Sequence, residues 1–254
     1  MIVDSVLVNA KAYLEGQILD CCIAIEEGKI TKIGKETNMP QADEKTDLHN
    51  LLVLPGLVDE HVHLRDEGRA YKEDFASGTA ASAAGGFTTV LDMPNNDPVT
   101  MSAATLQKRM EVASRRIIVN VGFYSEFPKT LPEINDIVKT GAVGFKFFMG
   151  NQVGGENVDD DGAIKEAVKE TAKLKVPLAV HAEDRAMLAV NEGKLKQAKK
   201  NSLAEFLRVH TENVEVYAIK RLLKASEGTD AQLHFCHVTS VGALDAIAQA
   251  KRSE

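Results

Sequence analysis

The pattern of hydrophobic and polar residues changes near residue 52. Before that point, apolar and polar residues alternate in runs such as "DSVLVNAKAYL" and "CCIAIEEGKITKIGK", which is typical of half-buried β-strands. In the second run, Glu27 and Gly28 separate two alternating segments, as in a tight hairpin turn. We therefore predict a small sheet domain over residues 1–52, the N-terminal part of a β-sandwich.

After this point, strand-like apolar runs alternate with helix-like stretches. The apolar runs occupy residues 52–64, 85–94, 117–124, 142–150, 176–184 and 231–239. The helical stretches occupy residues 74–84, 101–115, 131–139, 162–175, 203–226 and 240–252. Six such units predict a parallel sheet in an α/β fold, an incomplete TIM-type (β/α)8 barrel over residues 53–254. A doubly wound open sheet is the alternative, but no glycine-rich dinucleotide motif follows any strand.

Composition and charge limit the classes of partner. The chain has 254 residues, 44% of them hydrophobic, and a net charge of -7, which argues against nucleic acid and anionic membranes because both attract basic surfaces. No apolar run reaches the roughly 18 residues that a membrane span needs. The three cysteines fit no zinc-finger spacing and no targeting segment is visible, which indicates a reducing, cytoplasmic setting.

Residues able to do chemistry concentrate at the ends of the predicted barrel strands. In "LPGLVDEHVHLRDEG" (54–68), His61 and His63 share one face of a strand, where two imidazoles can hold a metal ion. An HxH pair also occurs without a metal. The strand ends add Arg65, Asp92, Asn95, Lys146, His181, Glu183, Asp184 and His237. In a parallel barrel these ends open onto one face, where an active site belongs.

Four imidazoles on one face suit zinc better than magnesium or calcium, which prefer oxygen ligands. Lys146 has two interpretations. A desolvated, neutral amine reacts with carbon dioxide to give a carbamate that can bridge two metal ions, whereas a protonated lysine repels a metal and instead snorkels or pairs with an acid. The other histidines, His49, His210 and His234, are interpreted as structural or surface residues.

Five segments, in this order and spacing, resemble the amidohydrolase superfamily: "PGLVDEHVHLRDEG", "GGFTTVLDMPNN", "GAVGFKFFMG", "PLAVHAED" and "LHFCHVTS". Within it they are similar to the cyclic amidase branch that contains dihydroorotase, allantoinase and dihydropyrimidinase. The resemblance covers nearly the whole chain. It implies that His61 and His63 bind the more buried of two zinc ions, that His181 and His237 bind the second, and that carboxylated Lys146 bridges them.

The resemblance also implies a substrate. Arg65, in the HxHxR position, and Asn95, in "MPNN", match the dihydroorotase pattern for holding the substrate carboxylate. The alternative for Arg65 is a salt bridge with Asp66, Glu67 or Asp92.

The implied reaction is the reversible hydrolysis of dihydroorotate to N-carbamoyl-aspartate, in pyrimidine biosynthesis, by a hydroxide that two zinc ions share. The partners are then this small-molecule substrate and its product. The alternatives are an allantoinase or dihydropyrimidinase, and a non-catalytic dihydropyrimidinase-like scaffold protein. Such scaffolds tend to lose the metal-binding histidines that this chain keeps.

The sequence departs from the family pattern at its end. In the family, the aspartate that shuttles the proton lies after the eighth strand, beyond residue 254 here, so the catalytic base is unknown and Asp184 is a candidate without support. We expect a fragment of a longer enzyme or a shortened relative. An unclosed barrel exposes strand edges, which favours a homo-oligomer.

An acidic loop offers an alternative to Lys146. In "GGENVDDDGAI" (154–164), Asp159, Asp160 or Asp161 can replace the bridging lysine, as in some dihydroorotases. We favour Lys146, because "GFKFF" places it at a strand end beside the histidines. The acidic run is then a solvated loop that caps the next helix.

Overall fold

The computed structural model describes residues 2–150, 153, 155, 157–199 and 202–253. The chain divides into two compact units, residues 1–57 and 58–254. No helix among these described residues is long and apolar enough to cross a membrane.

The first unit is built on a single mixed β-sheet. Its strands are β1 Ile2–Leu14, β2 Gln17–Glu26, β3 Lys29–Gly34, β4 Gln41–Asp47 and β5 Leu52–Val53, with a 3-10 turn at Glu36–Asn38. The central strand β1 runs antiparallel to β2 and parallel to β4 and β5. Glu27 and Gly28 both have left-handed backbone angles (φ 49° and 71°), which fits the predicted tight hairpin turn between β2 and β3.

The second unit consists of six parallel strands and the helices between them. The strands are β6 Leu57–Val62, β7 Phe87–Asp92, β8 Asn120–Glu126, β9 Gly144–Phe148, β10 Leu178–His181 and β11 Leu233–Phe235. They lie side by side in chain order and curl into an incomplete barrel. The prediction of six βα units in an unfinished TIM-type barrel is therefore confirmed.

The helices of this unit are α1 Phe75–Ala84, α2 Ala103–Ser114, α3 Glu133–Thr140, α4 Asp161–Leu174, α5 Arg185–Gln197, α6 Leu203–Leu207, α7 Glu212–Ser226 and α8 Val241–Ser253. Five of them, α1, α2, α4, α5 and α6, begin at residues whose side chains cap them. Asp74 and Ser102 each form a reciprocal capping box at the start of α1 and α2. Each cap satisfies backbone N–H groups that have no partner within the helix.

Two helical predictions need correction. The predicted helix over 203–226 is two helices, because residues 208–211 leave the helical path: Val209 is buried in a cluster with Leu188 and Val214, and Thr211 starts α7 in extended conformation. Helix α5 was not predicted as a separate element. Its start is Asp184, whose side chain accepts a hydrogen bond from the Met187 backbone N–H.

Strand β9 shows how the barrel positions its polar interior. Phe145 and Phe147 point into the main hydrophobic core between sheet and helices, where both rings meet the edge of Phe127 at centroid distances of 5.4 and 5.0 Å. Residue 146 lies between them and therefore points to the opposite face, the barrel interior. Burial of the two rings thus fixes the direction of the Lys146 side chain.

Candidate active site

Four histidine rings lie together at the carboxyl ends of β6, β10 and β11. The ring centroids of His61 and His63 are 5.2 Å apart, those of His61 and His237 5.3 Å, and those of His181 and His237 4.8 Å. The structure therefore brings the four imidazoles of the sequence prediction into one cluster.

The cluster is organised as two pairs. Nε2 of His61 lies 3.3 Å from Nε2 of His63, and Nδ1 of His181 lies 3.1 Å from Nε2 of His237. Within the described residues, no three or more histidine, cysteine, aspartate or glutamate side chains converge as a single metal-binding group. Each pair by itself nevertheless fits zinc, because two nitrogens about 2.0–2.1 Å from a tetrahedral zinc are roughly 3.3 Å apart.

The first pair is held in the neutral form that binds metals. Burial lowers the pKa of His61 to about 3. Burial lowers the pKa of His63 to about 4, against the opposing effect of its hydrogen bond with Asn95. Both rings therefore keep a free nitrogen lone pair at neutral pH.

Lys146 lies beside these rings with no exposed surface. Its Nζ is 2.8 Å from the sulfur of Cys236 and 5.2 Å from the centre of the Phe148 ring. Burial lowers the pKa of the amine, while Cys236 and Glu126 oppose this change. Lys146 pairs in register with Ala179, a residue of β10 with a small side chain. Burial therefore shifts this lysine toward the unprotonated amine.

A buried carboxyl group adjoins this lysine and was missed by the sequence analysis. Glu126, the last residue of β8, pairs in register with Lys146. Its Oε2 is buried and is without a hydrogen-bond partner among the described residues. Burial raises the pKa of Glu126 well above its usual value, with Lys146 opposing. Its position in "GFYSEF", at the end of an apolar strand, was the available signal.

Arg65 and Asn95 both lie at the edge of the cluster. Oδ1 of Asn95 accepts a hydrogen bond from Nδ1 of His63 at 2.7 Å, which leaves the two amide N–H donors for other partners. The backbone of Arg65 is left-handed, with φ 59°. The three acids considered as its ion-pair partners bind other cations: Asp66 pairs with Arg116, Glu67 with Lys108 and Asp92 with Arg109.

Comparison with known proteins decides the family. Residues 52–248 match the amidohydrolase family, which is well over half of the chain. The chain belongs to the amidohydrolase family. It is 31% identical over 244 residues to a dihydroorotase of Methanosarcina acetivorans, with 96% of this chain and 52% of that protein covered.

Two further relatives of this amidohydrolase carry other names. An allantoinase of Solibacter usitatus is 30% identical over 239 residues, covering 93% of this chain and 52% of that protein. The solved structure of an L-hydantoinase (dihydropyrimidinase) from Arthrobacter aurescens superimposes with a TM-score of 0.90 at 28% identity, covering 99% of this chain and 56% of the other. The chain thus spans about half the length of the relatives it matches.

The aspartates in the acidic loop of this amidohydrolase cap a helix or pair with arginines. Asp160 caps α4 by accepting from the Gly162 and Ala163 N–H groups, as predicted. Asp159 pairs with Arg185, and Asp161 with Arg221, 2.8 Å from its Nε. Asp184 likewise caps α5 and accepts from Arg221 at 3.1 Å. These carboxylates therefore stabilise the starts of α4 and α5.

His210, interpreted from the sequence as a structural or surface residue, is partly buried and makes a hydrogen bond. Its Nδ1 donates to Oε1 of Glu183 at 2.6 Å, and Oε2 of Glu183 accepts from Nε2 of His181 at 2.7 Å. Partial burial raises the pKa of Glu183, but these hydrogen bonds dominate and lower it to about 2. His210 is thus connected to the histidine cluster. By contrast, His49 is 82% exposed beside Asp47.

Proposed function

We propose that this chain carries the metal-binding part of a zinc-dependent cyclic amidase, and that its substrate is dihydroorotate. The observation that carries the proposal is the convergence of two imidazole pairs and a buried lysine at the carboxyl ends of parallel strands. His61, His63, His181 and His237 would hold two zinc ions, and Lys146, once carboxylated, would supply the shared ligand.

Carboxylation of Lys146 requires no cofactor. The lone pair of a neutral amine forms a C–N bond to carbon dioxide as one C–O π bond breaks, and an N–H proton passes to a base, so that a buried amine becomes a carbamate anion. The absence of solvent exposure at Lys146 favours the neutral amine. Zinc, when bound, supplies charge that neutralises the carbamate, activates water near neutral pH and polarises a ring carbonyl.

The choice of dihydroorotate rests on Arg65 and Asn95. Dihydroorotate carries a carboxylate, and a guanidinium with amide N–H donors is a suitable receptor for it. The acids near Arg65 have other cationic partners, which supports a role for this arginine in binding substrate and not in stabilising the fold. Relatives named dihydroorotase from several organisms, at 30–34% identity, support the same substrate.

A second candidate is another cyclic amide, such as a hydantoin, a dihydropyrimidine or allantoin. The observation in its favour is the close structural match to a hydantoinase and the identity to an allantoinase. Because these substrates lack the carboxylate at that position, they would not need Arg65. The reducing cytoplasmic setting that we propose suits either substrate, and the described cysteines are free thiols.

The test is metal content followed by turnover. We expect two zinc ions per chain after supply and dialysis, and dihydroorotate hydrolysis by this chain or by a longer product of the same gene. Arg65→Ala should reduce dihydroorotate turnover by at least tenfold and spare uncharged cyclic amides. Arg115→Ala, at the end of α2, is the control. A folded chain that takes up no zinc under saturating supply would refute the proposal.

A further inference from the structure

The Glu183 carboxylate joins two imidazoles that come from different parts of the chain. One oxygen lies 2.7 Å from Nε2 of His181, and the other lies 2.6 Å from Nδ1 of His210. All three side chains are largely shielded, with 19–26% of their side-chain surfaces exposed. The structure thus contains a continuous chain of hydrogen bonds from the segment between α6 and α7 to the end of β10.

The chemistry of the carboxylate fixes which ring nitrogen carries the proton. An ionised carboxylate has only acceptor sites, so Nε2 of His181 must donate. In a neutral imidazole the other nitrogen, Nδ1, is then the acceptor, and this atom faces His237 at 3.1 Å. The contact with Glu183 therefore leaves the His181 lone pair directed into the histidine cluster.

We propose that Glu183 and His210 are positioning residues that hold His181 as its Nε2–H tautomer, with His210 orienting the carboxylate. This inference rests on the proposed function in one respect, the role of His181 as a zinc ligand. The tautomer itself is a property of the metal-free chain. Hydrogen-bond partners of this kind typically change metal affinity by 10- to 100-fold when they are removed.

The segment that carries His210 is anchored well enough for this role. Val209 is buried against Leu188, and its backbone carbonyl accepts a hydrogen bond from Nδ2 of Asn191 at 3.0 Å. The ring of Phe206 lies 4.7 Å from the His210 ring, measured between centroids. Contacts on both sides of His210 therefore restrict its ring to an orientation that faces Glu183.

A purely structural role makes a different prediction. If Glu183 and His210 only attach the segment between α6 and α7 to the barrel, their removal should lower stability without changing the His181 tautomer. The tautomer can be read directly from the 15N shifts of the imidazole ring in the metal-free chain. Zinc affinity is the second measurement, and neither measurement requires turnover.

The experiment compares Glu183→Leu, Glu183→Gln, His210→Ala and His210→Asn, with His49→Ala as an exposed control. Asn is the conservative replacement, because its amide nitrogen can donate in place of Nδ1. We expect a loss of the pure Nε2–H tautomer and 10- to 100-fold weaker zinc binding in Glu183→Leu, and about tenfold weaker binding in His210→Ala. His210→Asn should restore most of the affinity, and His49→Ala should have no effect.

The outcomes separate this inference from the proposed function. An unchanged tautomer in both Glu183 variants, or equal zinc affinity in His210→Ala and the wild type, would overturn the proposal that Glu183 and His210 position His181. If Glu183→Leu fails to fold, Glu183→Gln and His210→Ala provide the same comparison. Failure of the wild type to bind zinc would refute the proposed function, while the ring 15N shifts would still decide whether Glu183 fixes His181.

Discussion

Lys146 is a residue whose position is unfavourable for the fold. Its amine is fully buried, and its neighbours include one thiol, one aromatic ring and a buried carboxyl group. Burying an amine with so few polar partners costs free energy that an apolar side chain of similar size would not. Such a residue is expected where the chemistry of the site requires it.

Replacing this lysine should therefore stabilise the metal-free chain. We expect Lys146→Met to raise the free energy of unfolding by about 1–3 kcal/mol, measured with urea in the presence of a chelator. The same variant should lose zinc binding, which metal analysis would show. Lys173→Met, on the exposed face of α4, is the control and should stay within about 0.5 kcal/mol. A destabilised Lys146→Met would mean that the amine contributes to packing.

At the scale of elements, the direction of β9 depends on a close approach at its first residue. A Cβ atom at Gly144 would lie 2.6 Å from the Pro177 carbonyl oxygen and 2.8 Å from the Tyr124 ring. Neighbouring strands therefore reach their observed spacing only because residue 144 has no side chain. The close approach at Gly144 therefore also sets the position of Lys146, two residues later.

Two glycine substitutions should act in opposite directions. Gly144→Ala should lower the free energy of unfolding by about 1–3 kcal/mol, because backbone and ring atoms must move. Gly193→Ala, in α5 where nothing lies within 4 Å, should raise it by about 0.5–1 kcal/mol through helix propensity. Thermal or urea unfolding of both variants gives the comparison. Equal effects would contradict the close approach at β9.

The acidic loop before α4 gives a second test at this scale. Asp160→Ala should cost about 1 kcal/mol through loss of the cap, whereas Asp160→Asn should be nearly neutral because asparagine also caps. Neither variant should change the zinc content. The zinc content should also be measured in alanine variants of Asp159 and Asp161. A fall in zinc stoichiometry in any of them would favour a bridging aspartate over Lys146.

The sequence predicted the elements whose signals are local and missed those that depend on distant contacts. The HxH pair, the apolar strands and the cap at Asp160 can be found from a few neighbouring residues. The break between α6 and α7 cannot, since it depends on the burial of Val209. The link between His210 and Glu183 spans 27 residues and requires the folded barrel, so neighbouring residues in the sequence do not indicate it.

At the scale of the whole molecule, the barrel sheet has two outer strands, β6 and β11. Helix α8, which follows β11, exposes Val241 (72%) and Leu244 (57%), three residues apart on one helix face. Unpaired strands and exposed apolar residues promote association between chains. We therefore expect the 254-residue chain to self-associate.

Sedimentation velocity over a range of protein concentrations would test this. We expect the average mass to rise with concentration, and the double variant Val241→Lys/Leu244→Lys to reduce the rise. Val190→Lys, at an exposed position on α5, is a matched control that should leave association unchanged. A constant monomer mass at every concentration would contradict the prediction.

The central place of β1 in the first sheet bears on how the chain emerges during translation. All five strands of that sheet lie within the first 53 residues, and β1 contacts three of them. The strands that β1 contacts are therefore translated before the residues of the histidine cluster. Early pairing of β1 would also remove its two edges from contact with neighbouring nascent chains.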